Sequence, residues 1–381
     1  MPKKLPKLSF VFGTRPEAIK LAPIILAARK ISGLELEVCV TGQHREMLDI
    51  ILTFFSIEPT LDLNVMRSNQ SLTSLTATVI QEVSKYLQKS QPDYVFVQGD
   101  TTSVLATGIS AFYNKVKVAH VEAGLRTWDM TSPYPEEMNR VVVSKIADFH
   151  FAPTELAKQN LIKENVTKNI LVTGNTVIDA LLLTAEKLKS TPPQMRALPE
   201  GFFASDNKII LITGHRRESF GEAFESICTA IYKLAIGNPE IDFIYPVHLN
   251  PNVQEPVFRI LKNQKNVWLI PPLDYPEFIY LMSKSYLILS DSGGIQEEAP
   301  TLGKPVLVMR ENTERPEGIE AGVVKLVGTD EKNIISNVQN LIDNTEEYLK
   351  MATCKNPYGD GTASVKILEH IINHYNENYS N

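Results

Sequence analysis

The stretch Leu8-Ser9-Phe10-Val11-Phe12-Gly13-Thr14-Arg15-Pro16-Glu17 decides the fold. Its pattern returns in the second half as Ile209-Ile210-Leu211-Ile212-Thr213-Gly214-His215-Arg216-Arg217-Glu218. Each reads as a buried strand, then a Gly-x-Arg-x-Glu turn, then the start of a helix. One signature at the same topological point of both halves predicts two similar doubly wound α/β domains. Ligands bind such sheets beyond the C-terminal ends of the strands, so a shared substrate is expected between the domains.

Outward from these stretches, short β-rich apolar runs alternate with longer helical patterns. Strands are predicted at 8–12, 35–40, 94–97, 116–120, 149–152 and 170–172 in the first half. Those of the second half are predicted at 209–213, 242–245, 267–270, 286–289 and 306–309. Alternation of this kind argues a parallel sheet in each domain with helices on both faces. A Pro-rich connection at 190–201 separates the sets and places the boundary between 175 and 201. A chain of 381 residues is long enough for two cores.

Composition narrows the function classes. Apolar residues make up 43% and charged residues 22%, which suits a folded globular protein and excludes a disordered or fibrous one. Lys plus Arg against Asp plus Glu is 38 − 44 = −6, so no strong positive field awaits nucleic acid. The apolar run 8–12 is broken at once by Gly-Thr-Arg-Pro-Glu, too short for a signal sequence or a membrane span, so a cytoplasmic location without a membrane partner is expected. Cys39, Cys228 and Cys354 form no CxxC pair, which indicates neither a disulfide framework nor a zinc site; they are expected to be buried fillers. His370 and His374 stand at i, i+4 with no third ligand nearby, and no metal is expected. Neither GxGxxG nor GxxxxGK[ST] occurs, which argues against NAD and against a P-loop ATP site; no cofactor is expected.

Several segments at predicted strand ends carry chemistry. Pro16 fixes a helix start, with Arg15 as its cap and Lys20 a little over one turn on. The two cations and the free N–H groups read as an anion site or as a solvated helix start. Asp100, in Gln98-Gly99-Asp100-Thr101-Thr102, is either a helix N-cap or an acid–base group. Glu122, in Val121-Glu122-Ala123-Gly124, again puts an acid at a strand end. Glu136 and Glu137 open a helix, where dipole compensation and a Glu136–Arg140 pair are the plain reading. Three carboxylate loops on successive strand ends of one domain suit general acid–base chemistry.

In the second half, Ser292-Gly293-Gly294 opens a helix after a strand and allows close approach of a phosphate. Glu298 lies about one turn in, placed to accept hydrogen bonds from a ribose diol, so turn and acid together favour nucleotide binding. His215 between Gly214 and Arg216 either neutralises a phosphate, donates a proton or caps a loop, and His248 in Pro246-Val247-His248 is similar.

Together these segments resemble the non-hydrolysing UDP-N-acetylglucosamine 2-epimerases. The matching runs are Phe12-Gly-Thr-Arg-Pro-Glu-Ala-Ile-Lys20, Gly42-Gln-His-Arg45, Gly99-Asp-Thr-Thr102, His120-Val-Glu-Ala-Gly-Leu-Arg126, Pro135-Glu-Glu-Met-Asn-Arg140 and Gly174-Asn-Thr176. They continue with Gly214-His-Arg-Arg-Glu218, Tyr245-Pro-Val-His248, Ser290-Asp-Ser-Gly-Gly-Ile-Gln-Glu-Glu298, Thr313-Glu-Arg-Pro316 and Asn356-Pro-Tyr-Gly-Asp-Gly361, in order along nearly the whole chain.

The resemblance implies a GT-B fold, with two Rossmann-like domains facing across a cleft. The first would cover 1–175, with a helix at about 364–381 packing back on it, and the second, UDP-binding, would cover 176–363. It implies substrate contacts at Arg15, Lys20, Asp100, Glu122, His215, Ser292, Gly293, Gly294, Glu298 and Arg315. Leu273 (through its backbone) and Phe278 would lie around the uracil. Asp100, Glu122, Glu136 and His215 would be catalytic. Some members are activated by a second UDP-N-acetylglucosamine; Gln43, Arg216 and His248 match that pattern, while Glu46 and Asn69 replace its glutamine and arginine. The implied reaction is reversible C2 epimerisation of UDP-N-acetylglucosamine to UDP-N-acetylmannosamine through UDP elimination, serving surface polysaccharide, in a homodimer. The alternatives are a hydrolysing 2-epimerase, a GT-B glycosyltransferase and a non-enzymatic nucleotide-sugar sensor.

Overall fold

The computed structural model describes residues 5–42, 45–66 and 70–379, without the side chains of residues 45, 46 and 379. The chain divides into two compact units, Met1–Ala180 with Gly359–Asn381, and Leu181–Tyr358.

In the first unit, the strands among the described residues are β1 (Lys7–Phe12), β2 (Glu35–Val40), β3 (Leu61–Asp62), β4 (Tyr94–Gln98), β5 (Lys117–Val121), β6 (Phe149–Ala152) and β7 (Ile170–Val172). All pair in parallel, in the spatial order β3-β2-β1-β4-β5-β6-β7. In the second they are β8 (Lys208–Thr213), β9 (Ile241–Pro246), β10 (Val267–Ile270), β11 (Leu287–Ser290), β12 (Val306–Val308) and β13 (Val324–Leu326). Their order is β10-β9-β8-β11-β12-β13, again parallel throughout.

Both sheets start in the middle, run out to one edge and return past the first strand to the other. With right-handed crossovers, that reversal puts helices on both faces. The expectation of two Rossmann-like α/β domains is borne out. Sequence periodicity missed β3 and β13. Each has at most three residues, and neither is a continuous apolar run: β3 is exposed, and Lys325 of β13 is exposed.

Double coverage explains the near-continuous apolar strands. Five of the six residues of β1 and of β8 are buried. Val11, Val95, Val97 and Val118 join Val79, Val83, Val104 and Leu105 from the helices in one core. Ile210, Ile212, Phe243 and Leu289 join Phe224, Ile231, Val253 and Val338 in the other. The helix Ala363–Tyr379 packs against the helix Arg15–Ala28 within the first unit. Its Ser364 backbone N–H donates to Asp179 at 2.8 Å. His374 Nδ1 lies 2.8 Å from the Tyr94 hydroxyl, and both His370 and His374 meet the Phe149 ring edge-on.

Cys39 and Cys228 are buried, and burial pushes both thiols up to about 12. Cys354 is only half-buried, because it ends the surface helix Thr345–Thr353. Among the described residues, no helix is long and apolar enough to cross a membrane.

Gly124 sits where a side chain has no room. Its φ is +96°, and an added Cβ would meet the Ala157 carbonyl oxygen at 2.2 Å and the Leu161 Cγ at 3.0 Å. Gly124→Ala is therefore expected to destabilise the protein by about 2 kcal/mol or more, from combined backbone strain and overpacking. Urea unfolding checks this, with a matching fall in the denaturation midpoint.

Candidate active site

Strand order changes direction between β1 and β4 in the first unit and between β8 and β11 in the second. At such a switch point the loops leaving the two strands part, and a crevice opens at their carboxyl ends. The loops in question are Gly13–Arg15 and Gly99–Thr101 in one unit, and Gly214–Arg216 and Asp291–Gly294 in the other. The two copies of the Gly-x-Arg-x-Glu pattern therefore stand at equivalent places.

In the first unit, the N-cap of the helix Arg15–Ala28 is Thr14, and Arg15 is the first helical residue rather than the cap. The cause is Glu17, whose carboxylate accepts the N–H groups of Gly13 at 3.2 Å and Thr14 at 2.8 Å and so closes the turn one residue earlier. The other Glu17 oxygen accepts the Thr101 hydroxyl at 3.0 Å, which ties the β1 loop to the β4 loop across the switch point. Burial raises the Glu17 pKa to about 7.

Thr101, not Asp100, caps the helix Thr102–Tyr113, its hydroxyl oxygen accepting the Val104 N–H at 3.3 Å. The Asp100 carboxylate is left for Arg140, 2.5 Å away. The Arg140 guanidinium also lies 3.3 Å from Glu137, so it serves these two carboxylates instead of the Glu136 expected at i, i+4. Glu137 is buried and accepts the N–H groups of Thr127 and Trp128, both at 3.0 Å. Asn139 Nδ2 donates to the Asp100 carbonyl at 2.8 Å. Burial pushes the Asp100 carboxyl above the usual range; Arg140 partly reverses this and the nearby Glu122 charge adds to it.

Glu122 follows β5 with a φ of +62°, a left-handed conformation that a glutamate adopts only under constraint. The constraint is visible. Lys20 Nζ lies 2.6 Å from both carboxylate oxygens, Asn175 Nδ2 donates at 3.0 Å, and Gln98 Nε2 donates as well. Three side-chain donors on one carboxylate hold it in a fixed orientation. Below it, burial lowers the His120 pKa to about 4, and the neutral ring's Nε2 hydrogen-bonds the Gly99 carbonyl at 2.7 Å. Lys20, Asp100 and Glu122 are thus brought together. Glu136 is half-buried at the start of the helix Glu136–Ile146, one residue from buried Glu137.

In the second unit, Asp291 bridges the switch point. One carboxylate oxygen accepts the backbone N–H groups of His215 and Arg216, both at 2.7 Å. The Tyr245 hydroxyl donates to the Gly214 carbonyl at 2.7 Å, fixing the same turn from below. The His215 ring stacks on His248 with centroids 5.1 Å apart and an interplanar angle of 9°. Ser292 is the N-cap of the six-residue helix Gly293–Glu298. Buried Glu297 accepts from Arg315 Nε at 2.5 Å, and the guanidinium carbon lies 3.7 Å from where a Cβ on Gly293 would stand. Arg315 is thereby held beside the Ser-Gly-Gly turn, and Glu298 ends the helix half-buried. Arg216 points to Glu314, 3.8 Å away. Leu273 follows β10 and Phe278 lies on the helix Tyr275–Lys284, both half-buried. Gln43 lies outside the described residues.

Sequence reasoning missed the holding roles of Glu17, Gln98, Glu137, Asn139, Arg140, Asn175, Asp291 and Glu297. Glu17 carried a local signal, the Thr-x-x-Glu spacing of a capping box, and Arg140 stands at i, i+3 from Glu137.

Comparison with known proteins bears on this arrangement. The family model described as UDP-N-acetylglucosamine 2-epimerase matches residues 26–372. A UDP-N-acetylglucosamine 2-epimerase of Campylobacter jejuni is 54% identical over 372 residues, covering 96% of this chain and 97% of the relative. The crystal structure of UDP-GlcNAc 2-epimerase from Neisseria meningitidis bound to UDP-GlcNAc superposes with a TM-score of 0.86 at 50% identity, over 96% of this chain and 100% of that one. The enzyme from Methanocaldococcus jannaschii in complex with UDP-GlcNAc and UDP gives a TM-score of 0.75 at 36% identity, over 96% and 99% of the two chains.

Proposed function

Because this chain belongs to the UDP-N-acetylglucosamine 2-epimerase family, we propose that it is the non-hydrolysing type, interconverting UDP-N-acetylglucosamine and UDP-N-acetylmannosamine. The observation that carries the reading is the pairing of two unlike carboxylates at the first switch point. Asp100 has a pKa raised by burial, and Glu122 is fixed by Lys20, Gln98 and Asn175.

The C2 hydrogen of the sugar is not acidic, so a base alone does not invert that carbon. Elimination solves this. A carboxylate takes the C2 proton while the C1–O bond to UDP breaks, and the electron pair of the C–H bond becomes the C1=C2 bond of 2-acetamidoglucal. A second acid then delivers a proton to the opposite face of C2 as a UDP phosphate oxygen rejoins C1. Asp100, Glu122 and Glu136 supply these proton transfers. Arg15, His215, Arg315 and the Ser292–Gly294 turn stabilise the charge that builds on the diphosphate. Glu298 accepts from the ribose hydroxyls, while Phe278 and the Leu273 backbone border the uracil. No step requires a cofactor. Following the motif resemblance, the enzyme acts as a cytoplasmic homodimer that supplies N-acetylmannosamine units for surface polysaccharide.

Product analysis with UDP-N-acetylglucosamine alone tests the type. UDP-N-acetylmannosamine in equilibrium with substrate, without build-up of free sugar, is expected. Free N-acetylmannosamine and UDP as the main products would show the hydrolysing type.

A further inference from the structure

Asp291 is a buried carboxylate that the proposed reaction does not use. It is 2% exposed, and only one of its oxygens is satisfied by the His215 and Arg216 backbone N–H groups. The other, Oδ1, is buried, has no hydrogen-bond partner, and lies 3.7 Å from His215 Nδ1. A buried, unpaired carboxylate oxygen is costly, so its persistence beside one imidazole nitrogen calls for a role. The imidazole lies parallel to the His248 ring, which stacks on its face.

We propose that Asp291 is a positioning residue for His215: Oδ2 fixes the turn, and Oδ1 receives Nδ1–H when substrate is bound. This leaves Nε2 as the atom that meets the diphosphate. The inference rests on the assignment of His215 to the diphosphate and adds the group that sets its tautomer and charge. Three titratable or charged neighbours act on His215: Asp291 from the β11 loop, His248 from the β9 loop, and adjacent Arg216. Burial, His248 and Arg216 all lower the His215 pKa, and only Asp291 raises it. A group needed as imidazolium loses activity as pH rises through its pKa. Removing the Asp291 charge therefore moves the basic limb of the rate profile to lower pH.

The test uses the full-length enzyme with 15N-labelled histidine, the His215 signals being assigned by their loss in His215→Asn. In the wild type with UDP bound, neutral His215 should carry its proton on Nδ1; a proton on Nε2 would overturn the proposal without any substitution at Asp291. In Asp291→Asn, whose amide oxygen still accepts from the turn, the His215 titration and the basic limb of kcat should both move down by about 1 pH unit. An unmoved titration in the folded variant would overturn it. The double variant Asp291→Asn/His215→Asn should lose little more turnover than His215→Asn alone, because the two act as one unit. Multiplying losses would make Asp291 a purely structural group. Wild-type turnover in His215→Asn would refute the assignment of His215 itself, an outcome distinct from the others.

Discussion

Replacing Asp100 by asparagine is expected to lower kcat about 10²- to 10⁴-fold, the usual worth of a positioned acid–base group. The amide keeps the shape of the side chain but neither accepts nor delivers the proton. UDP affinity should change little, because the proposed uridine and most of the diphosphate contacts come from the second unit. The pH profile sharpens the test. Burial raises the Asp100 pKa, so the ionised form is lost as pH falls through a value above the ordinary aspartate range. The acid limb of the wild-type profile should therefore lie high, and Asp100→Asn should erase it. Steady-state kinetics with calorimetry of UDP binding reads both quantities, and wild-type turnover would remove Asp100 from the chemistry.

Glu122→Gln should fail differently. Lys20, Gln98 and Asn175 all donate to this carboxylate, so the NH2 group of a glutamine must face at least one donor. Lys20, whose side chain is 20% exposed, also loses its ion pair with Glu122. Breaking a largely buried ion pair costs about 3 kcal/mol, so stability should fall by about that amount along with a kcat loss of about 10²-fold or more. Urea unfolding and kinetics on the same preparation separate the two effects. Asp100→Asn should depress turnover with little change in midpoint, since Asp100 is more exposed and retains a hydrogen bond to Arg140 through the amide oxygen. Equal stability of Glu122→Gln and wild type would refute the view that this carboxylate is held by three donors.

The sequence made the outline of both sheets legible for a physical reason. Strands covered on both faces must be apolar throughout, and the turns at their ends carry glycine and charge, so β1, β4, β5, β8 and β11 announce themselves. β3 and β13 do not, because a short edge strand needs no apolar run. The candidate residues were legible by the same token: Arg15, Asp100, Glu122, His215 and Ser292 follow strands. Their partners were not. Arg140 reaches Asp100 across 40 residues, Lys20 reaches Glu122 across 102, and Asp291 reaches the His215 turn across 76. Pairings of that span depend on which strands become neighbours in the sheet, and a local pattern does not carry that. The Glu136–Arg140 pair shows the error this invites. It is the natural i, i+4 reading of the helix, yet Arg140 serves Asp100 and Glu137 because the helix start packs over the β4 loop.

The central claim is that the C2–H bond breaks and is remade from the other face. Incubation with UDP-N-acetylglucosamine in deuterated water, with a chelator and without nicotinamide, tests it most directly. The abstracted proton goes to one carboxylate and the returning one comes from another group in exchange with solvent, so one deuterium is expected at C2 of the UDP-N-acetylmannosamine formed. UDP-N-acetylmannosamine that retains protium at C2 would contradict the elimination mechanism.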